Sequence, residues 1–172
     1  MKRLAACGVL GLALVVSGCG YHTADHGKTI PANVKTIAIP AFVNQTQTYR
    51  VEQMLTGAVV REFTTRTHYN IAHEADTADA TLRGTVTNAT TAPLTYDSST
   101  GRVATVLVTV NMKVVLNDRD GKVLYENEAF QFREQYQVSR DLTSFFEEDT
   151  PALERLSRDF ARTLVSNILE GF

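Results

Sequence analysis

Cysteine is nearly missing from this chain of 172 residues, which holds only Cys7 and Cys19. Cys7 lies in the leader described below and Cys19 is expected to be acylated, so the domain that follows is expected to have no disulfide, no thiolate metal site and no cysteine nucleophile. Long apolar runs are also scarce. The run Leu4–Val16 falls short of the about 20 residues that a membrane-spanning helix needs. Positive charge is not in excess: without residues 1–18, and so without Lys2 and Arg3, 15 basic side chains face 19 acidic ones. The resulting formal charge of −4 implies no nucleic-acid partner. Catalytic patterns are missing as well. No serine stands in a Gly-x-Ser-x-Gly setting, no histidine has a recognisable partner pattern, and the Glu126 and Glu128 pair reads as solvated strand residues. No enzyme and no metal site are expected.

What is present begins with the leader. Lys2 and Arg3 form a basic start, Leu4–Val16 an apolar stretch, and Val16-Ser17-Gly18-Cys19 a small-residue cleavage site ending in cysteine. This is the pattern of a bacterial lipoprotein signal, residues 1–18. Its thiol is the nucleophile that takes a diacylglycerol, and Cys19 then becomes the acylated N-terminus. No cofactor is expected beyond that diacylglycerol and acyl chain on Cys19. Residues 19–33 read as a lipidated tether, polar and without helical or strand period. His22 and His26 are four apart, but the glycine and absent periodicity argue against a helix that would make them metal ligands.

Residues 34–172 are long enough for one domain with a sizeable core. Lys35–Pro40 predicts a short strand ended by proline, and Ala41–Thr48 a polar loop. Over Arg50–Arg66, Val51, Met54, Leu55, Ala58, Val59 and Phe63 form the stripe of an amphipathic helix. Thr64–Thr77 reads as a connection with at most a brief strand near Tyr69–Ile71, and it holds His68 and His73. Period-two alternation predicts strands over Asp79–Asn88 and Val103–Leu116, with a long polar loop, Ala89–Gly101, between them. Asp120-Gly121 marks a hairpin turn. Val123–Tyr136 then returns as a strand whose phase a bulge near Glu126–Glu128 would repair. After the irregular segment Gln137–Asp149, Thr150 and Pro151 start a helix running to about Glu170 with Gly171 as its stop. Its stripe is Leu153, Leu156, Phe160, Ala161, Leu164 and Ile168.

The order strand-helix-strand-strand-strand-helix predicts an α+β two-layer sandwich. A four-stranded mixed sheet should carry both helices on one face, with the first strand parallel to the second. Loops Ala41–Thr48, Ala89–Gly101 and Gln137–Asp149 should then gather at the end opposite the tether. The uncovered sheet face should present Thr81, Arg83, Thr85, Thr87, Thr105, Thr109, Asn111 and Lys113. Such a face is either simply solvated or suited to contact with a polar cavity.

Several stretches together carry a family likeness. Cys19-Gly20-Tyr21-His22, Ile37-Ala38-Ile39-Pro40-Ala41-Phe42-Val43-Asn44, Ala78-Asp79-Ala80-Thr81-Leu82-Arg83-Gly84 and the last amphipathic helix resemble the lipopolysaccharide-assembly lipoprotein family LptE. The resemblance implies a lipid-anchored outer-membrane protein, facing the periplasm and lodged inside the lumen of an LptD-type β-barrel, that assists lipopolysaccharide delivery to the cell surface. Gly20 after Cys19 is compatible with outer-membrane sorting. On this likeness and the expected loop placement, Arg102 and Arg140 are the candidates for lipopolysaccharide phosphates. Tyr96, Phe145, Phe146, Arg83 and Lys113 are the candidates for barrel contact. The segment Ile39–Asn44 also resembles periplasmic lipoproteins related to the curli-secretion pore and the peptidoglycan-synthase activators, which would bind a secreted subunit or a cell-wall enzyme.

Overall fold

The alternation in the sequence becomes a pleated sheet in the computed structural model, which describes residues 30–138 and 149–171. Its elements are β1 (Thr36–Ala38), β2 (Val43–Asn44), α1 (Val51–Arg66), β3 (Asn70–Ala72), a 3-10 turn (Ala75–Thr77), β4 (Ala80–Tyr96), β5 (Val103–Asp118), β6 (Val123–Gln137) and α2 (Asp149–Glu170). The sheet runs β3-β1-β4-β5-β6, with β2 paired separately to β4, so it has six strands where four were expected. β1 is parallel to β4, as anticipated, and also to β3 on its other side. That central place suits it, since Ile37 and Ala38 are both fully buried. The extra strands are three and two residues long, too short to leave a periodic signal.

One face of the sheet carries the core. On β5, Val110, Met112, Val114 and Leu116 point into it, and α1 and α2 cover them with Leu55, Val59, Phe63, Leu156, Phe160 and Leu164. The expected bulge in β6 is present: Met112 pairs with Phe130 but Val114 with Asn127, so β6 holds one residue too many between them. Tyr125 and Phe130 can therefore both face the helices. Phe160 of α2 meets three rings there, those of Phe132, Phe130 and Phe42, at centroid distances of 4.6, 5.8 and 6.5 Å. The last helix ends as its sequence indicates. Gly171 adopts φ 77° and donates its N–H to the Asn167 carbonyl at 2.9 Å.

β4 departs most from expectation. Residues 89–96, read as loop, continue the strand and pair with β5 through Tyr96, so the turn shrinks to the residues around 97–102. Two causes hide this strand in the sequence. A register shift between Val86 and Asn88 inverts the inward and outward sides, and the distal half is exposed on both faces, which removes the apolar alternation. Beyond Val86 the outer edge of β4 has no strand partner among the described residues, and Pro93 lies in that edge.

β1 and β2 run successively along the proximal part of the same edge. Five residues separate Ala38 from Val43 while their partners, Thr81 and Thr85, are four apart, and Pro40 lies in the interruption. The surplus residue turns Phe42 inward. Its ring lies on Gly84, where an added Cβ would sit 2.8 Å from the ring. The Phe42 N–H donates to Thr56 Oγ1 of α1 at 3.0 Å.

At the end where the described chain begins, the Asp79 carboxylate accepts the backbone N–H groups of Lys35 and Thr36, each at 3.0 Å, and pairs with Arg119 at 3.4 Å. The N–H bond from Lys35, then that from Thr36, and then the charge of Arg119 hold the Asp79 carboxyl below its usual range. Ile30 and Val34, just before β1, are buried in the same core.

Two outcomes follow from this packing. Gly84→Ala should lower stability by roughly 1–3 kcal/mol through overpacking against Phe42. Adding Phe42→Leu should recover part of that loss in denaturant unfolding, and strictly additive effects would refute the contact. Because Asp79 titrates lower in the folded state, its stabilisation is complete above the unfolded carboxyl value of about 3.9 and disappears as pH falls through the folded value. The Tm deficit of Asp79→Asn should therefore be full at neutral pH and close below about pH 4.

Candidate functional site

The helix-free face of the sheet is built in transverse rows by the strand register. In order away from the tether end they are Arg83, Val115 and Glu126; Thr85 and Lys113; Asn88, Asn111 and Gln131; Thr90, Thr109 and Arg133; Ala92, Leu107 and Gln135; and Thr95, Thr105 and Gln137. Hydroxyl and amide groups dominate. Gln131 Nε2 donates to Asn111 Oδ1 at 2.8 Å, and Thr87 Oγ1 donates to the Asn111 carbonyl at 3.1 Å. The register shift at Thr87 brings Asn88 and Thr90 onto this face, an assignment that uninterrupted alternation misses. Thr81, expected there, is only 8% exposed.

The charged residues of the face have different standing. Lys113 is clamped by two carboxylates, Glu128 Oε1 at 2.5 Å and Glu126 Oε1 at 3.2 Å. The hydrogen bond to Glu128 first, and that to Glu126 second, raise the Lys113 pKa, while the same lysine lowers that of Glu128. Glu126 and Glu128, two residues apart on β6, reach this ammonium from the same face. Arg83 is exposed and forms no ion pair among the described residues. Thus Arg83 is the more available cation, and Lys113 is largely neutralised by its neighbours.

Tyr96 and Arg102 flank the β4–β5 turn, with Tyr96 62% exposed. The Asp97 carboxylate shapes that turn by accepting the Ser99 and Thr100 N–H groups, each at 2.9 Å, and the Ser99 hydroxyl. The Ser99 hydroxyl, then its N–H, hold the Asp97 carboxyl well below the usual range. Thirteen residues along β4 separate Arg83 from Tyr96, about 40 Å in an extended strand. The candidates therefore form a long strip. Arg140, Phe145 and Phe146 lie outside the described residues, as do Cys19 and the two tether histidines.

The loop before α1 does not join the hairpin tip. Gln45 N–H bonds to the Val86 carbonyl, and Thr48 lines a small hollow with Ala89, Thr91 and Leu153, roughly 20 Å short of the tip. Asn44 organises this loop by donating to the Thr48 carbonyl at 2.8 Å and Glu52 at 2.9 Å and accepting the Thr46 N–H at 2.9 Å. Arg50 is held at φ 57°, and its guanidinium lies 4.8 Å from the ring centre of Tyr49, which is 75% exposed. This exposed cation–aromatic pair has no periodic signature in sequence. Among the described residues, no group of three His, Cys, Asp or Glu side chains could hold a metal ion, and no helix is long and apolar enough to cross a membrane.

With this geometry in view, the model of a lipopolysaccharide-assembly family, LptE, matches residues 34–168. No curated protein matches the chain. Similar solved structures include lipoprotein B from Nitrosomonas europaea, with TM-score 0.55 and 12% identity over 79% of this chain and 83% of that one. The rare lipoprotein B from Shewanella oneidensis gives 0.53 and 12% over 77% and 93%. PelC from Paraburkholderia phytofirmans, solved as a dodecamer, gives 0.50 and 13% over 83% and 94%. At such identities the likeness is one of fold alone.

Proposed function

From the premise that the chain belongs to the lipopolysaccharide-assembly family LptE, we propose that it is an outer-membrane lipoprotein, anchored through acylated Cys19, that plugs an LptD-type β-barrel. There it assists lipopolysaccharide delivery to the cell surface, and its role is non-catalytic. The observation that carries this reading is the helix-free sheet face, polar from Arg83 to Thr105 along three long strands. The lumen of a membrane barrel is itself polar, so hydroxyl and amide rows can exchange water for wall contacts at little cost. The clamp of Glu126 and Glu128 around Lys113 supports the same use, because it presents the cluster already compensated. Arg83, Lys113 and Tyr96 take the barrel contacts along this strip, joined by Phe145 and Phe146.

In this reading Arg102, at the exposed turn, and Arg140 engage lipid A phosphates. A guanidinium suits a phosphate because its planar fork donates two parallel bonds. A ring-forming lipoprotein that serves secretion or a cell-wall enzyme is the second reading, favoured by the dodecameric state of PelC, whose fold is similar.

Purifying the full-length lipidated protein from its own membrane in mild detergent should recover one large outer-membrane barrel in stoichiometric amount. A homo-oligomeric ring or a cell-wall synthase, with no barrel, would sink the plug and favour the second reading. In a lipopolysaccharide-binding assay, Arg102→Glu combined with Arg140→Glu should weaken binding by roughly tenfold or more. Unchanged binding would remove both arginines from the phosphate role.

A further inference from the structure

A groove of about 550 Å³ opens at the other end of the domain, where the described chain begins. Ile30, Val34 and Leu169 give it apolar lining, while Lys35, Arg66 and His68 bring basic groups to it. No acidic side chain lines it among the described residues. Lys35 and His68 are exposed. Arg66 engages Glu62 at 3.3 Å and Ser166 at 2.9 Å through one nitrogen, Nη1, which ties α1 to α2 beside the groove. The nearby Asp79 carboxylate feels the charge of Lys35 but is committed to two backbone N–H groups and Arg119.

This composition selects a ligand with two characters. An anion alone would use the basic groups and leave the apolar lining idle, whereas an uncharged apolar segment would leave Lys35 and His68 unused. A phosphodiester joined to glycerol and the first methylenes of acyl chains uses both, and the volume falls in the range of ordinary ligand sites. Position favours the same source. Eleven residues separate Cys19 from Ile30, a reach of at most about 40 Å, so an anchor at Cys19 keeps this end near the bilayer.

We propose that the Lys35–Arg66–His68 groove takes the headgroup of an anionic phospholipid from the leaflet that holds the acyl chains of Cys19, seating the tether end of the domain on the membrane. The choice of a membrane lipid rests on the lipid-anchored reading above, while the recognition chemistry rests on the groove. The barrel would be engaged by the opposite end and the open sheet face, so both contacts are compatible.

The test uses the full-length acylated protein in a neutral detergent, titrated with dihexanoyl phosphatidylglycerol while the thermal unfolding midpoint is followed. A saturable rise with this lipid, and none with dihexanoyl phosphatidylcholine or inorganic phosphate, is the expected result. An equal rise with inorganic phosphate would make the groove a free-anion site, and an equal rise with phosphatidylcholine would make it merely apolar; either overturns the proposal, as does no rise at all. Lys35→Glu with His68→Glu should weaken the response by roughly fivefold or more. Lys35→Gln, which only removes charge, should weaken it by about fivefold should the double variant fold poorly. Affinity unchanged in Lys35→Gln would also overturn the assignment. Intact mass separates the two readings: protein lacking acyl chains would overturn the anchoring, whereas acylated protein with no lipid response overturns the groove alone.

Discussion

The ring of Phe42 lying on the bare backbone of Gly84 is the contact on which the rest of the architecture depends. It requires a residue without a side chain in the middle of β4, and it requires the edge segment to gain one residue between β1 and β2 so that position 42 turns inward. Once there, Phe42 touches the aromatic group centred on Phe160, and its N–H is bound by Thr56. A sheet edge, a central strand and both helices are thus joined at one point. The two stretches that carry the family likeness, one holding Phe42 and the other Gly84, are neighbours in space for this reason. Asp79 strengthens the same junction by fastening the start of β1 to the start of β4.

Elements with a strong period were legible in the sequence. The stripes of α1 and α2 are buried with the exception of Met54 and Leu153, which are partly exposed, and the alternation of β5 runs without a break. The β6 bulge could be inferred because unbroken alternation would put Leu124, Phe130, Phe132 and Tyr136 on one face with Glu126, Glu128 and Glu134. What remained hidden lacked a period or broke one. β2 is too brief to repeat, β3 was legible only as a brief strand near Tyr69–Ile71, and the outer half of β4 exposes both faces and has shifted register. The strip of site residues was legible in part. Arg83 and Lys113 were placed on the right face, but the Lys113 clamp depends on the β5–β6 register that sets Glu126 and Glu128 beside it, which spacing alone does not reveal.

The two ends of the molecule differ in chemistry as well as position. One combines basic groups with apolar side chains around a groove, while the other extends a hairpin whose exposed residues are mostly small and polar. Between them the open face has Glu126 and Glu128 paired with Lys113, and the Asn111 and Gln131 amides bonded to each other. Such a division gives the domain an intrinsic polarity along its strands: surface chemistry changes from basic and apolar around the groove to mostly small and hydroxylated along the hairpin over a few tens of ångströms.

Proline 93 lies in the unpartnered outer edge of β4, in a stretch also disturbed by register shifts on either side of Thr95. A residue without an N–H cannot take its place in a new ladder, so a second strand approaching this edge finds an interrupted row of donors. For molecules confined to a bilayer surface this has particular weight. Confinement raises local concentration and gives neighbours a common orientation, conditions under which regular free edges would line up and stack into sheets. The interrupted edge works against such stacking along a hairpin that projects far from the core.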